Sequence, residues 1–290
     1  MTTSTGLGQV TVTRGEQDLQ DVAYVTLERP DKLNGLTLKM LRDLIRVSKR
    51  IKADRTIRAV IIRGAQHNFS AGLDFGTALK SPVDIATAFI SRPWRGTNLF
   101  QEGPWCLRRI PVPVIAAVEG YCFGGALQIA LAADYRFTSA DATWSILEAK
   151  WGLIPDMTGI HSLSQILPID IAKRLTMTGE QFDGRRATEL GLASEVAENP
   201  LEAAEELARL IISRSPDSVA YTKKVFDETW SSGPRHTFFK ERIRQARLLA
   251  SKNTRIAQKA AAKAKGTGAS VRYGKRRVLL REAFGSRPPQ

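Results

Sequence analysis

The chain has 290 residues, 43% hydrophobic and 25% charged, which suffices for one large domain with a real core plus an appendage. No apolar run approaches the roughly 18 to 20 residues of a membrane span, the start MTTSTGLGQV lacks the basic and apolar parts of a signal peptide, and two cysteines are too few for a disulfide framework. The net charge of +14 is uneven: residues 241–290 hold 14 Lys and Arg against 2 acids, a local +12, so the first 240 residues carry only +2.

These features predict a cytoplasmic protein. Cys106 and Cys122 have no metal-ligand spacing with His67, His161 or His236, so both read as buried small apolar groups and no metal site is expected. With three histidines a His-based triad is a poor engine, although His161 follows the glycine of DMTGIH closely enough to line a pocket. The basic end reads as a solvated tail, the alternative being contact with the phosphates of a ligand or with nucleic acid.

In chain order, Val10 to Val12 and Val22 to Leu27 alternate and are rich in branched residues, which predicts a hairpin. The turn-rich ERPDKLNGL follows. From Thr37, Leu38, Leu41, Leu44, Ile45 and Ile51 recur at helical spacing with Lys and Arg on the other face. Arg58 to Arg63 is short and apolar at its centre, as in a strand covered on both faces. It ends in QHNFSAGLDF. Thr77 to Arg109 reads as loop and helix over the mouth of a pocket, with Phe89, Trp94 and Phe100 as candidate walls or helix-packing aromatics.

Pro111 and Pro113 lead into a strand, Val114 to Val118, and then a glycine pair, Gly124 and Gly125, before the small-residue helix Ala126 to Ala133. Amides at that helix start point outward without partners, a site suited to a developing negative charge. Glu148 follows among Trp144, Ile146, Leu147 and Trp151, surroundings that disfavour its charged form and bring its pKa toward the range of a general acid or base. Together these features suggest enolate chemistry.

Short helices are predicted at Ser162 to Leu167, Ala172 to Met177 and Gly184 to Leu192, and a strand at Ala193 to Val196. Beyond Leu201 the chain reads as nearly unbroken helix, with Ser215 as N-cap and Pro216 at the first helical position of one segment and a further helix over Arg235 to Ser251. There is no P-loop and no solenoid repeat, and Gly6-Leu-Gly8 lacks the third glycine of a dinucleotide fingerprint and reads as a flexible N-terminus.

Three motifs, RPDKLNGL at Arg29 to Leu36, FSAGLD at Phe69 to Asp74 and the stretch from Gly120 to Gly159, resemble in order and separation those of the crotonase superfamily, the enoyl-CoA hydratase/isomerase family, over about residues 8 to 250. The resemblance implies an α/β fold with a crotonase-like ββα spiral core over residues 1–200. A C-terminal helical oligomerisation region over 201–265 and a flexible basic tail over 266–290 would follow. It implies homotrimers or homohexamers and an acyl-CoA substrate of which coenzyme A is part, with no separate cofactor, no membrane, and nucleic acid only through the tail.

By the same resemblance, the backbone N–H groups of Leu73 and Gly125 form an oxyanion hole, and Lys32, Leu33, Ala71 and Asp74 bind CoA. Glu148, Asp156 and Gln128 make up the catalytic set. Family hydratases carry a glutamate where this chain has Gln128, and an amide cannot exchange a proton at neutral pH. A single carboxylate over the acyl chain suits double-bond isomerisation, and family dienoyl-CoA isomerases place an aspartate at the offset of Asp156. Alternatively Asp156 is a turn residue capping the helix near Thr158. The contrasting function is a catalytically weak or inactive binding protein whose basic tail contacts nucleic acid or an acidic partner.

Overall fold

The structure is a computed structural model that describes residues 7–74, 76, 81–91, 93, 95–263 and 271–279. The alternating start of the chain forms the expected hairpin: β1 (Gln9–Arg14) runs antiparallel to β2 (Val22–Glu28), with Val12 opposite Val25. Gly8 packs its backbone against Arg29 and Met40 so tightly that a Cβ would lie 2.8 Å from either, which corrects the expectation of a flexible segment at Gly6 to Gly8 for this residue. Thr37 caps α1 (Leu38–Ala53), accepting the Met40 N–H at 3.2 Å and donating its hydroxyl to the Leu7 carbonyl at 2.7 Å. The helix turns Met40, Leu41, Leu44, Ile45 and Ile51 inward and leads to β3 (Ala59–Gly64), parallel to β2.

Within Thr77 to Arg109 the described residues form α2 (Pro82–Phe89) and α3 (Leu99–Arg108); Trp94 lies outside the described residues. Asn98 starts α3 with a capping box, its side chain accepting the Gln101 N–H while the Gln101 side chain accepts the Asn98 N–H. Then come β4 (Val114–Val118), β5 (Tyr121–Phe123), α4 (Gly125–Leu131), β6 (Tyr135–Thr138), β7 (Thr143–Ser145) and a 3-10 turn at Leu147–Trp151. The chain continues through α5 (Gly159–Ser164), α6 (Ile169–Thr178), β8 (Gln181–Asp183), α7 (Gly184–Glu189), β9 (Glu195–Val196) and α8 (Pro200–Ile212).

Two sheets result, one ordered β1-β2-β3-β4-β6-β9 and parallel except at β1-β2, the other ordered β5-β7-β8. β4-β5-α4, and β6-β7 with the helical segments after them, each lay one strand in the large sheet and one in the small sheet before a helical segment, the expected ββα repeat, whereas in the last turn α7 separates β8 of the small sheet from β9 of the large one. The central strands β3 and β4 are covered on both faces, and their runs Ala59 to Ile62 and Val114 to Val118 are wholly apolar. Val60, Ile62, Val114 and Ala116 face one core, and Ala59, Ile61, Ile115 and Ala117 face the other. That second core is closed by Ala204 and Ala208 of α8, whose small side chains let the helix lie close on the strands.

The chain divides into two compact units, Met1–Ser213 and Arg214–Gln290. α8, grouped by its sequence with the C-terminal helices, is part of the first because of that packing. The second unit contains α9 (Pro216–Thr229), α10 (Pro234–Leu249) and α11 (Lys252–Lys263). Its sequence holds 19 Lys and Arg against 5 acids, +14, so the first unit, with 24 of each, is neutral. Ser215 occupies the N-cap position of α9 but makes no side-chain cap bond, and Pro216 at the first helical position lacks one of the amides that a helix start leaves without an acceptor.

Of the residues expected to form a flexible basic tail, 271–279 are instead anchored. Asp217, fully buried on α9, accepts hydrogen bonds from Ser251 Oγ, from Asn253 Nδ2 at 3.0 Å and from the Arg277 N–H at 2.7 Å, while Asn253 Oδ1 accepts the Gly274 N–H. The other tail residues, 266–270 and 280–290, lie outside the described residues. Asp217→Ala leaves these donors without their acceptor and is expected to destabilise the second unit by about 2 to 4 kcal/mol. A lowered urea midpoint with an unchanged slope is the predicted readout.

Candidate active site

The turn after β2 sets one wall of the site. Leu33 and Asn34 both have left-handed backbones, φ +50° and +55°, which reverse the chain at once. Asn34 is fully buried: its Oδ1 accepts the Arg29 N–H, and its Nδ2 donates to the carbonyls of Ala65 and Asn68. Arg29 pairs with Asp74 at 2.7 Å, and the Leu33 carbonyl accepts both the Ala71 N–H and Asn68 Nδ2. RPDKLNGL and FSAGLD, some 40 residues apart, are thus stitched into one surface.

Leu36 completes that stitching. It accepts the Asp74 N–H and donates to the Gly72 carbonyl, as in a parallel bridge. The amide between those two bonds, Leu73 N–H, therefore faces away from Leu36 and has no acceptor among the described residues. Gly72, at φ +86°, lies against β5 so closely that a Cβ would be 2.6 Å from the Phe123 carbonyl and 3.7 Å from Gly125 N. Gly125 is the first residue of α4, and its N–H also has no acceptor among the described residues. Leu73 and Gly125 border the same cavity.

Glu148 enters that cavity from the 3-10 turn, 8% exposed. A Cβ on Gly124 would stand 3.3 Å from Glu148 Oε1 and 3.6 Å from Oε2, so a side chain there would press on the carboxyl and shift it by a few tenths of an ångström. Gly124 also has φ +50° and ψ −117°, a conformation essentially confined to glycine. Gln128 donates to Glu148 Oε1 at 2.5 Å, and its own Oε1 accepts the Gly159 N–H at 2.8 Å. Both ends of the amide are therefore committed, while Glu148 Oε2 has no partner among the described residues.

Burial raises the pKa of Glu148, and the negative charge of Asp156 adds to the rise; the bond from Gln128 opposes it without reversing it. Asp156 lines the cavity with its own pKa raised by burial. It does not cap the following helix: the N-cap of α5 is Thr158, in a left-handed conformation with no side-chain cap bond.

Of the other expected residues, Ala71 lines the cavity, as do Phe89 and Phe100. Lys32 and Leu33 are exposed on the turn, whereas Asp74 is engaged by Arg29. His161 is not a cavity residue; its ring packs edge-on against Trp105, centroids 5.4 Å apart, and burial lowers its pKa with help from Arg108. The two cysteines are buried, Cys106 with its thiol pushed up to about 12. Asn34 is the residue sequence reasoning missed. Its only signal was an asparagine within a turn, where left-handed backbone is tolerated.

Gly124→Ala forces both a strained backbone and a displaced carboxyl. The expected result is a folded protein with unchanged far-UV circular dichroism and turnover of any CoA-ester substrate lowered by about 100-fold or more; steady-state kinetics of the purified variant provides the check.

Residues 17–262 match the enoyl-CoA hydratase/isomerase family. Similar proteins include (E)-benzylidenesuccinyl-CoA hydratase from Thauera aromatica, 32% identical over 208 residues that cover 70% of this chain and 77% of that protein. Carnitinyl-CoA dehydratase from Escherichia coli K12 is 32% identical over 212 residues, 72% of this chain and 77% of that protein. Among solved structures, an enoyl-CoA hydratase from Polaromonas sp. JS666 superposes with a TM-score of 0.80 at 25% identity, covering 92% of this chain and all of that one. Enoyl-CoA hydratase from Mycobacterium tuberculosis H37Rv gives 0.79 at 27%, covering 91% and 98%. The chain belongs to the enoyl-CoA hydratase/isomerase family and has the α/β spiral fold of the crotonase superfamily.

Proposed function

We propose that the protein binds an acyl-CoA thioester and moves a proton on its acyl chain through an enolate-like intermediate. The observation that carries this reading is the combination, around one cavity, of two amides without acceptors, Leu73 N–H and Gly125 N–H, with a buried carboxyl whose Oε2 is unengaged. Taking a proton from the acyl chain puts negative charge on the thioester oxygen. Two fixed donors aimed at that oxygen stabilise it, each by about 2.7 to 4 kcal/mol in the transition state.

Glu148 is the proton carrier in this scheme. Its raised pKa lets it take a proton from one carbon and release it to another without a large energetic penalty in either direction. Gln128 exchanges no proton; it is a positioning residue that fixes Oε1 and leaves Oε2 toward the acyl chain. Lys32 and Leu33 receive the CoA moiety on the exposed turn and Ala71 borders the thioester, while Asp74 acts through Arg29 by holding the turn. Coenzyme A enters as part of the substrate, and the protein works as a cytoplasmic homotrimer or homohexamer.

Double-bond isomerisation is the preferred outcome, because with Gln128 in place of an acid one mobile proton on Glu148 serves both carbons. Hydration or dehydration is the second reading, favoured by the names of the relatives; there Asp156 would share a water with Glu148. A 3-enoyl thioester that moves its double bond into conjugation without taking up oxygen from oxygen-18-labelled water supports the first, and a 2-enoyl thioester that takes up the labelled oxygen on its acyl chain supports the second.

Glu148→Gln is expected to lower turnover by about 10²- to 10⁴-fold while the dissociation constant for a saturated CoA ester stays within about three-fold; unchanged turnover removes the proposed carrier. The pH profile gives an independent check. As base, Glu148 must be ionised, so kcat/KM falls as pH drops through its raised pKa. Asp156→Asn removes the opposing charge, so the acid limb of that profile is expected to move to lower pH.

A further inference from the structure

The thioester reading leaves the acyl group open, and the walls of the cavity define its class. The cavity has a volume of about 630 Å³. At roughly 30 Å³ for each water-sized group, it holds on the order of twenty non-hydrogen atoms, the thioester and the adjoining end of CoA among them, so a four-carbon acyl group would leave a large part of it to water. One wall comes from α2 through Ile85 and Phe89, and the other from Trp151, Leu153 and Ile154.

These side chains are unusually bare. Phe89 is 53% exposed, Trp151 60% and Ile154 69%. Single exposed apolar residues are ordinary, but a group of them around one opening marks a surface meant to be covered. The Phe89 ring lies 4.9 Å from that of buried Phe100, so the wall is continuous with the core. No Lys, Arg or His is among the described lining residues; the charged groups there are Glu148 and Asp156. An anionic group on the acyl chain would meet like charge, and a cationic one would lose its water to hydrocarbon walls.

We infer that the acyl group is an uncharged hydrocarbon of about ten or more carbons, lodged between Phe89 and the wall formed by Trp151, Leu153 and Ile154. This rests on the thioester reading, so its test uses binding rather than turnover. Butanoyl-, octanoyl- and dodecanoyl-CoA, which carry no double bond to react, are titrated into the intact protein by calorimetry, together with dodecanoyl-CoA bearing a terminal carboxylate or a terminal trimethylammonium.

The dissociation constant is expected to fall by roughly two- to four-fold per added methylene. Both charged analogues should bind at least about ten-fold more weakly than plain dodecanoyl-CoA. Ile154→Asp, at an exposed position compatible with folding, should weaken dodecanoyl-CoA by about ten-fold or more and leave butanoyl-CoA within about two-fold. Affinity that does not change with length, or a charged analogue that binds as well as the plain chain, overturns the inference while leaving the thioester reading intact. Absence of binding at every length overturns both.

Discussion

The approach of the Glu148 carboxyl to the bare main chain of Gly124 is the contact on which the site depends. A side chain at Gly124 would meet both carboxyl oxygens, and the backbone there adopts angles that side chains disfavour. The same residue donates its N–H to the Ser145 carbonyl, which ties the start of α4 to the small sheet and places Gly125 N–H on the open side. Burial then decides the chemistry of the acid. Removing a carboxylate from water costs more than its backbone N–H and the hydrogen bond from Gln128 return, so the net pKa shift is upward.

The remaining features hold that contact in place. Gln128 is fixed by the Gly159 N–H, and a Cβ on Gly159 would stand 2.6 Å from Gln128 Oε1, so a second glycine is required on that side. Across the cavity, Asn34 and the Arg29–Asp74 pair lock the turn that presents Leu73. Beneath both lies a sheet buried on two faces, a rigid base for a constellation that tolerates little displacement. The proposed enolate chemistry uses backbone donors for the charge and a side chain for the proton. That division explains why glycines, rather than a dense set of acids and bases, mark this site.

Much of this was legible in the residues. The run from Val114 to Val118, the glycine pair and the small-residue helix predicted the strand-to-helix junction, and the apolar company of Glu148 predicted the direction of its pKa shift. Thr37 announced its helix and became its cap. The failures share a physical cause: local sequence does not reveal distant partners. Asn34 reads as an ordinary turn residue because its acceptors at Ala65 and Asn68 lie some 30 positions away. Residues 271–279 read as a solvated basic stretch because their anchor, Asp217, is 60 positions upstream of Arg277. His161 followed a motif glycine, yet Trp105, on another helix, holds it outside the cavity.

The account's central claim is that a thioester oxygen sits between Leu73 N–H and Gly125 N–H beneath Glu148. The most direct measurement is a crystal structure with a saturated acyl-CoA bound. The account predicts that oxygen at about 2.7 to 3.1 Å from both nitrogens, with Glu148 Oε2 over the adjoining carbons. A bound ester whose carbonyl turns away from either amide, or whose acyl chain runs outside the cavity walls, would contradict it.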